Sequence, residues 1–290
     1  MGGAVPTVRR SLIELNLSLL VLSFSPLFAK WVRLNAVSLI FWRAAFGAAA
    51  LLLFLRAIRQ PLALGSRREY LITAAVGVLM ALHFVTYFHA IQVSTVAVAV
   101  TAVFSYPAMT VLIEPLLYGE RPRWLDLGLA LAALLGVALI VPSASLADAT
   151  VQGVLWGLLS ALLFALRNVS YRRWLHHVPG SQVMLYQLLV IAAVLAPFIA
   201  PVTEVRPVDW ALLAVLGVVC TALGHSLFAG SMRQLKAKTA SLIACLQPVY
   251  AIVLGIVFLA EQPSARTLLG AAVVLGVALV ESRRVPASPR

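Results

Sequence analysis

Of the 290 residues, 62% are apolar and only 11% are charged, with a mean hydropathy of +1.00. A soluble domain carries about a quarter charged residues, and apolar runs of about 20 residues parted by short polar joints have bilayer-spanning length, so a large soluble core is excluded. The net charge of +12 sits at the ends of the apolar runs, as in a spanning protein, which argues against a nucleic-acid-binding surface.

Ten runs follow in chain order, at roughly 11–29, 36–55, 70–91, 95–118, 124–141, 151–173, 181–200, 209–232, 239–260 and 265–282. The fold class expected is an all-α integral membrane protein. Arg9 and Arg10 before the first run resemble a signal peptide, but Leu27-Phe28-Ala29 is a poor small-residue cleavage pattern. The second half also has a helix in that slot, from Val151, so the first run is read as a membrane helix. The joints carry breakers: Gln60-Pro61, Arg121-Pro122, Pro142-Ser143 and Pro179-Gly180. Cys220 and Cys245 both lie inside runs, leaving disulfide and metal-cluster readings without support.

The chain repeats itself. Leu135-Gly136-Val137-Ala138-Leu139 returns as Leu275-Gly276-Val277-Ala278-Leu279. Upstream, Pro107, Glu120 and Pro122 recur at the same spacing as Pro248, Glu261 and Pro263. The reading is two five-helix units, residues 1–142 and 143–290. With the N-terminus in the cytoplasm, sixteen Lys and Arg fall in cytoplasmic segments and four outside, which places both termini on the cytoplasmic side; the membrane expected is a bacterial inner membrane. Five is odd, so the second unit enters the membrane inverted. Inverted repeats place a site near the midplane, exposed to alternate sides.

Proline midway along the fourth helix of each unit, the Glu-Arg-Pro and Glu-Gln-Pro ends, Phe41-Trp42-Arg43 and the two Leu-Gly-Val-Ala-Leu segments together resemble the drug/metabolite transporter superfamily, in its EamA-type branch. The resemblance covers nearly the whole chain. It implies a secondary transporter, usually an exporter of amino acids or other small metabolites. Its central cavity would be lined by helices 3, 4, 8 and 9 and parts of 1 and 6. Within the branch the chain looks most like YddG-type exporters of aromatic and other neutral amino acids.

Residues that could carry transport lie near mid-membrane. Pro107 and Pro248 remove a backbone donor, which kinks a helix as a hinge or as a static packing feature. Tyr106 and Gln247 precede them and are expected to face the bundle interior, with Tyr250 sharing the Gln247 face. His83 and Tyr87 form an i,i+4 pair on helix 3, and His225 occupies nearly the same depth on helix 8. Such histidines relay protons, line a pocket, or are simply bonded to their neighbours. Arg43 lies two turns inside one end of its span, and snorkelling outward is expected ahead of guiding a carboxylate. Arg167, about a turn from the other face, is expected to snorkel. Glu14 and Glu114 are expected to pair with surface arginines. The small pairs Ala132/Gly136 and Ala272/Gly276 suggest close packing of helices 5 and 10 within one molecule, with a homodimer as runner-up to the monomer.

A membrane-embedded enzyme would need paired acids, a histidine cluster or an activated nucleophile, and none stands out. No phosphate-cradling loop or His-Glu-x-x-His motif is found, so neither a cofactor nor a metal is expected. A passive channel differs from a carrier in gating rather than composition. The expected partners are a small-molecule substrate and the lipid bilayer. The expected cavity comprises His83, Tyr87, Tyr106, His225, Gln247 and Tyr250, with Pro107 and Pro248 as hinges.

Overall fold

The computed structural model describes residues 8–117, 119, 121, 123–141, 145–201, 203, 205–231 and 243–284. Glu120, Pro122, Pro142, Ser143, Arg233, Lys236, Lys238, Arg290 and residues 239–242 lie outside the described residues. Among the described residues there is no strand. The helices are α1 (Ser11–Trp31), α2 (Ala36–Ala57), α3 (Arg67–Val93), α4 (Val96–Leu117), α5 (Trp124–Ile140), α6 (Ala149–Trp174), α7 (Gly180–Phe198), α8 (Pro207–Phe228), α9 (Gln247–Leu259) and α10 (Ala265–Arg284).

The helices begin where residues suited to end-capping stand. Asn35 accepts from the Ser38 amide at 2.9 Å, Ser66 from Glu69 at 3.2 Å, Thr95 from Val98 at 3.2 Å and Asp148 from Thr150 at 2.7 Å. Each side chain satisfies an amide that the first turn leaves without an intrahelical partner, which matters most where water is scarce. Pro207 at the start of α8 does the complementary thing, since its missing N–H would have been unpaired there anyway.

The packing is two-fold in pattern. α5 lies against α10, α2 against α7 and the first half of α4 against α9, while α3 packs on α6 and α1 on α8. The close approach of α5 and α10 was expected at Gly136 and Gly276, and the structure corrects the second. A Cβ at Gly136 would meet Val273 Cγ1 at 2.9 Å and the Gly270 carbonyl at 3.1 Å, whereas nothing lies within 4 Å of one at Gly276. Gly270, four residues before Val274, is the glycine that lets the backbones meet; Gly276 faces away.

α4 and α9 are interrupted at matching places. α4 runs Val96–Val103, turns through Phe104 and Ser105, and resumes at Tyr106. In the second half Ile243 and Ala244 are helical, Cys245 and Leu246 form a turn, and α9 starts at Gln247. Both breaks precede the proline, whose ring and missing donor disfavour a continuous helix through that point.

The turn joining α3 to α4 is gripped from two sides. Lys30, at the end of α1, donates to the carbonyls of Ser94 at 2.7 Å and Gln92 at 3.2 Å. Glu261, just past α9, accepts from the amides of Val96 at 2.7 Å and Ala97 at 3.2 Å. A cation therefore sits on the carbonyl end of one helix and an anion on the amide end of the next, as the helix dipoles favour.

Candidate functional site

A cavity of about 640 Å³ lies between the two halves. α3 presents Met80, His83, Phe84 and Tyr87 to it, and α6 presents Phe164, Arg167, Asn168 and Tyr171, each set at the i, i+3, i+4, i+7 spacing of one helix face. The break in α4 contributes Phe104 and Tyr106, and that in α9 contributes Ala244 and Gln247. The cavity reaches Tyr171 and Ser181 at the α6–α7 end of the molecule. No residue of the gripped α3–α4 turn lines it, so it stops short of that end.

Of the six residues read from the sequence as cavity-lining, the structure brings His83, Tyr87, Tyr106, His225 and Gln247 together. Tyr250 is not among the lining residues. It packs against Leu15 and Leu19 of α1, because the helix restarts at Gln247 and its i+3 neighbour turns toward α1. His83 is fixed to α6. Its Nδ1 lies 2.8 Å from the Ser160 hydroxyl and 3.1 Å from the Ser160 carbonyl, and that hydroxyl donates to the His83 carbonyl at 3.0 Å. The imidazole stacks on Phe164 at 4.5 Å, and Phe164 meets Tyr106 edge-on at 4.8 Å. His225 is different: its Nε2 is buried with no hydrogen-bond partner among the described residues.

The largest revision concerns the arginines. Neither snorkels. Arg43 is 3% exposed and lines the cavity, its guanidinium 4.1 Å from the Phe84 ring centre and 5.4 Å from that of Phe88. Its Nε donates to Thr221 at 2.9 Å. α8 is π-helical from Leu216 to Leu223, and the Thr221 hydroxyl donates back to the Leu216 carbonyl at 2.8 Å. The wider turn thus leaves a threonine oxygen facing α2. Gly217 allows the two helices to touch there, since a Cβ would stand 2.6 Å from Phe46 Cβ and 2.9 Å from the Arg43 carbonyl.

Arg167 lines the same cavity and donates to Gln187 Oε1 and Asn168 Oδ1, each at 2.9 Å, while its Nε is buried without a partner. It lies seven residues, about two turns, before the end of α6, and its guanidinium is held by Gln187 and Asn168 rather than extended toward that end. Among the described residues neither Arg43 nor Arg167 forms a salt bridge, and neither Asp nor Glu lines the cavity. Glu114 pairs instead with Arg172 at 3.2 Å.

Sequence reasoning undervalued these arginines and passed over Ser160, Thr221 and Gln187, which hold the histidine and arginine side chains. The signal available was a polar or charged residue inside a run, which is costly in lipid and therefore points inward.

The EamA-like transporter family matches at residues 12–141 and again at 151–282. Among individual proteins, the pseudopaline exporter CntI of Pseudomonas aeruginosa (strain UCBPP-PA14) is 29% identical over 255 residues, covering 86% of this chain and 87% of that one. An uncharacterized transporter of Archaeoglobus fulgidus is 28% identical over 92% of this chain and 94% of its own length. The uncharacterized transporter YxxF of Bacillus subtilis (strain 168) is 27% identical over 76% and 72%. One solved crystal structure superposes with a TM-score of 0.64 at 22% identity, covering 96% of this chain and 99% of that one, which supports the fold. The chain belongs to the EamA-like transporter family and is a multi-pass membrane transporter.

Proposed function

We propose that the protein is a secondary carrier that exports small amphipathic metabolites, amino acids and their relatives among them, by alternating access around the central cavity. The observation that carries this reading is the cavity itself. It is enclosed by helices from both halves, bordered by the two helix breaks, and walled by aromatic rings with a few polar groups between them. Aromatic faces suit an apolar body, and the arginines suit an acid group. The similarity to a pseudopaline exporter over most of both chains supports export of a small metabolite.

In the orientation that sixteen basic residues against four favour, both termini are cytoplasmic and the α6–α7 joint lies inside. The cavity then reaches toward the cytoplasm, the side from which an exporter loads. Pro107 and Pro248 act as the hinges whose rearrangement turns it to the other side, and residues 1–142 and 143–290 are the moving halves.

The test is counterflow in proteoliposomes holding the purified full chain, across a panel of amino acids and carboxylic acids. Saturable exchange, accelerated by cargo on the opposite face, is expected. Tyr106→Ala and Gln247→Ala should each lower flux or change cargo preference while the protein still folds as a monodisperse helical species. Linear flux without counterflow would identify a channel, and unchanged flux and preference in both variants would place the site elsewhere.

A further inference from the structure

The carrier reading leaves the charge of the cargo open, and the cavity carries information about it. Two guanidiniums border one enclosed space, and their protein partners are all neutral: Thr221 for Arg43, Asn168 and Gln187 for Arg167. The single hydrogen bond of Arg43 uses its Nε, so both terminal nitrogens lack a protein partner among the described residues although the residue is 3% exposed. Their surroundings are the Phe84 and Phe88 rings and the cavity. On Arg167 it is the Nε that is buried and unpartnered. His83, His225 and both arginines line the same cavity.

A buried charge without a counter-charge is costly, and most costly when water is expelled. Alternating access passes through a state closed to both sides. A neutral or zwitterionic cargo would carry two uncompensated guanidiniums into that state, and a cationic one would add to them. A monoacid would neutralise one. A diacid neutralises both, and each planar carboxylate can accept two N–H bonds from an arginine fork. Phe84, His83 and Phe164 lie on the wall of that cavity and suit a short hydrocarbon or aromatic body.

Resting on the carrier reading, we infer that the cargo is a small organic dianion whose two carboxylates are held by Arg43 and Arg167 at the same time. Neither Asp nor Glu lines the described cavity to hold an ammonium group, so an amino acid qualifies through an acidic side chain rather than as a neutral zwitterion.

The experiment compares ligands of one shape and different charge by thermal stabilisation of the purified full chain in nanodiscs: phenylsuccinate, 3-phenylpropionate, phenylalanine and phenethylamine. Phenylsuccinate should raise the melting temperature most and phenylpropionate less, with little shift from the other two. Arg43→Gln and Arg167→Gln should each reduce phenylsuccinate affinity about tenfold or more, toward that of the monoacid. Arg43→Lys and Arg167→Lys, which keep the charge and lose the fork, should fall between. If a glutamine variant fails to fold, the wild-type ranking and the lysine variants carry the test. Equal or greater stabilisation by phenylalanine or phenethylamine, no shift with either acid, or an unchanged phenylsuccinate response in the arginine variants would overturn the inference. Counterflow of whichever ligand stabilises the protein separates the two readings. A zwitterion that binds and exchanges leaves a carrier without a diacid site; a diacid that binds but never exchanges leaves a diacid site without a carrier.

Discussion

Thr221 shows how a modest side chain controls a charged one. Its hydroxyl donates to Leu216 and accepts from Arg43 Nε, so it fixes the guanidinium against α8 and leaves the terminal nitrogens to the cavity. Thr221→Val keeps the shape and removes the acceptor. We expect it to destabilise the protein by about 1–3 kcal/mol and to weaken cargo binding, while Thr221→Ser restores both; thermal melting with and without ligand checks this. Ser160 stands in the same relation to His83, and Ser160→Ala should leave Nδ1 only the Ser160 carbonyl at 3.1 Å. The sequence carried the chemistry of these residues without their depth. From its place in the run, Arg43 reads as a snorkelling side chain sooner than an inward one, and the structure turns it inward. The arbiter was the glycine at position 217 on a helix distant in sequence, which lets α8 close over it.

Among the helices, the breaks in α4 and α9 are the features most directly legible from sequence, because proline acts on its own backbone and needs no partner to do so. The π-helical stretch of α8 was not legible, since its extra residue per turn depends on packing against α2 rather than on any local breaker. Three predictions belong here. Gly217→Ala puts a Cβ 2.6 Å from Phe46 Cβ and 2.9 Å from the Arg43 carbonyl, and should destabilise by about 1–3 kcal/mol, as overpacking does; the shift of the melting temperature measures it. Gly276→Ala, with open space around it and inside a helix, should not lower the melting temperature and should raise it slightly. Pro107→Ala and Pro248→Ala should let α4 and α9 run straighter, so that ligand still stabilises the protein while counterflow slows. Loss of binding in parallel with flux would make these prolines part of the site rather than hinges.

For the whole molecule, the ten helices among the described residues and the pairing of their packing were foreshadowed by hydropathy and by the recurrence of Pro107, Glu120 and Pro122 as Pro248, Glu261 and Pro263. What duplication could not announce is the asymmetry of charge. The prolines are offset by 141 residues. Carried by that offset, Arg43 falls on Met184 and Arg167 on Pro26, and both of those also line the cavity. At the cavity, then, Arg43 and Arg167 have uncharged residues as counterparts under that offset. Exchanging the pattern, for example Arg43→Met with Met184→Arg, should displace the anion site without abolishing it. Retained ligand stabilisation with an altered ranking of acids would show this.

The grip on the α3–α4 turn has a consequence for leakiness. Lys30 and Glu261 hold main-chain carbonyls and amides, not side chains, so the sequence of the turn can drift without loosening the seal. The two holding groups come from opposite halves of the chain, and opening at this end requires both helix termini to be released. In the carrier proposed above, that coupling would make the barrier all-or-none rather than gradual, which suits a membrane that must keep its ion gradients while solutes pass. Glu261→Gln should soften it, seen as faster passage of small ions through liposomes that the wild-type protein leaves tight.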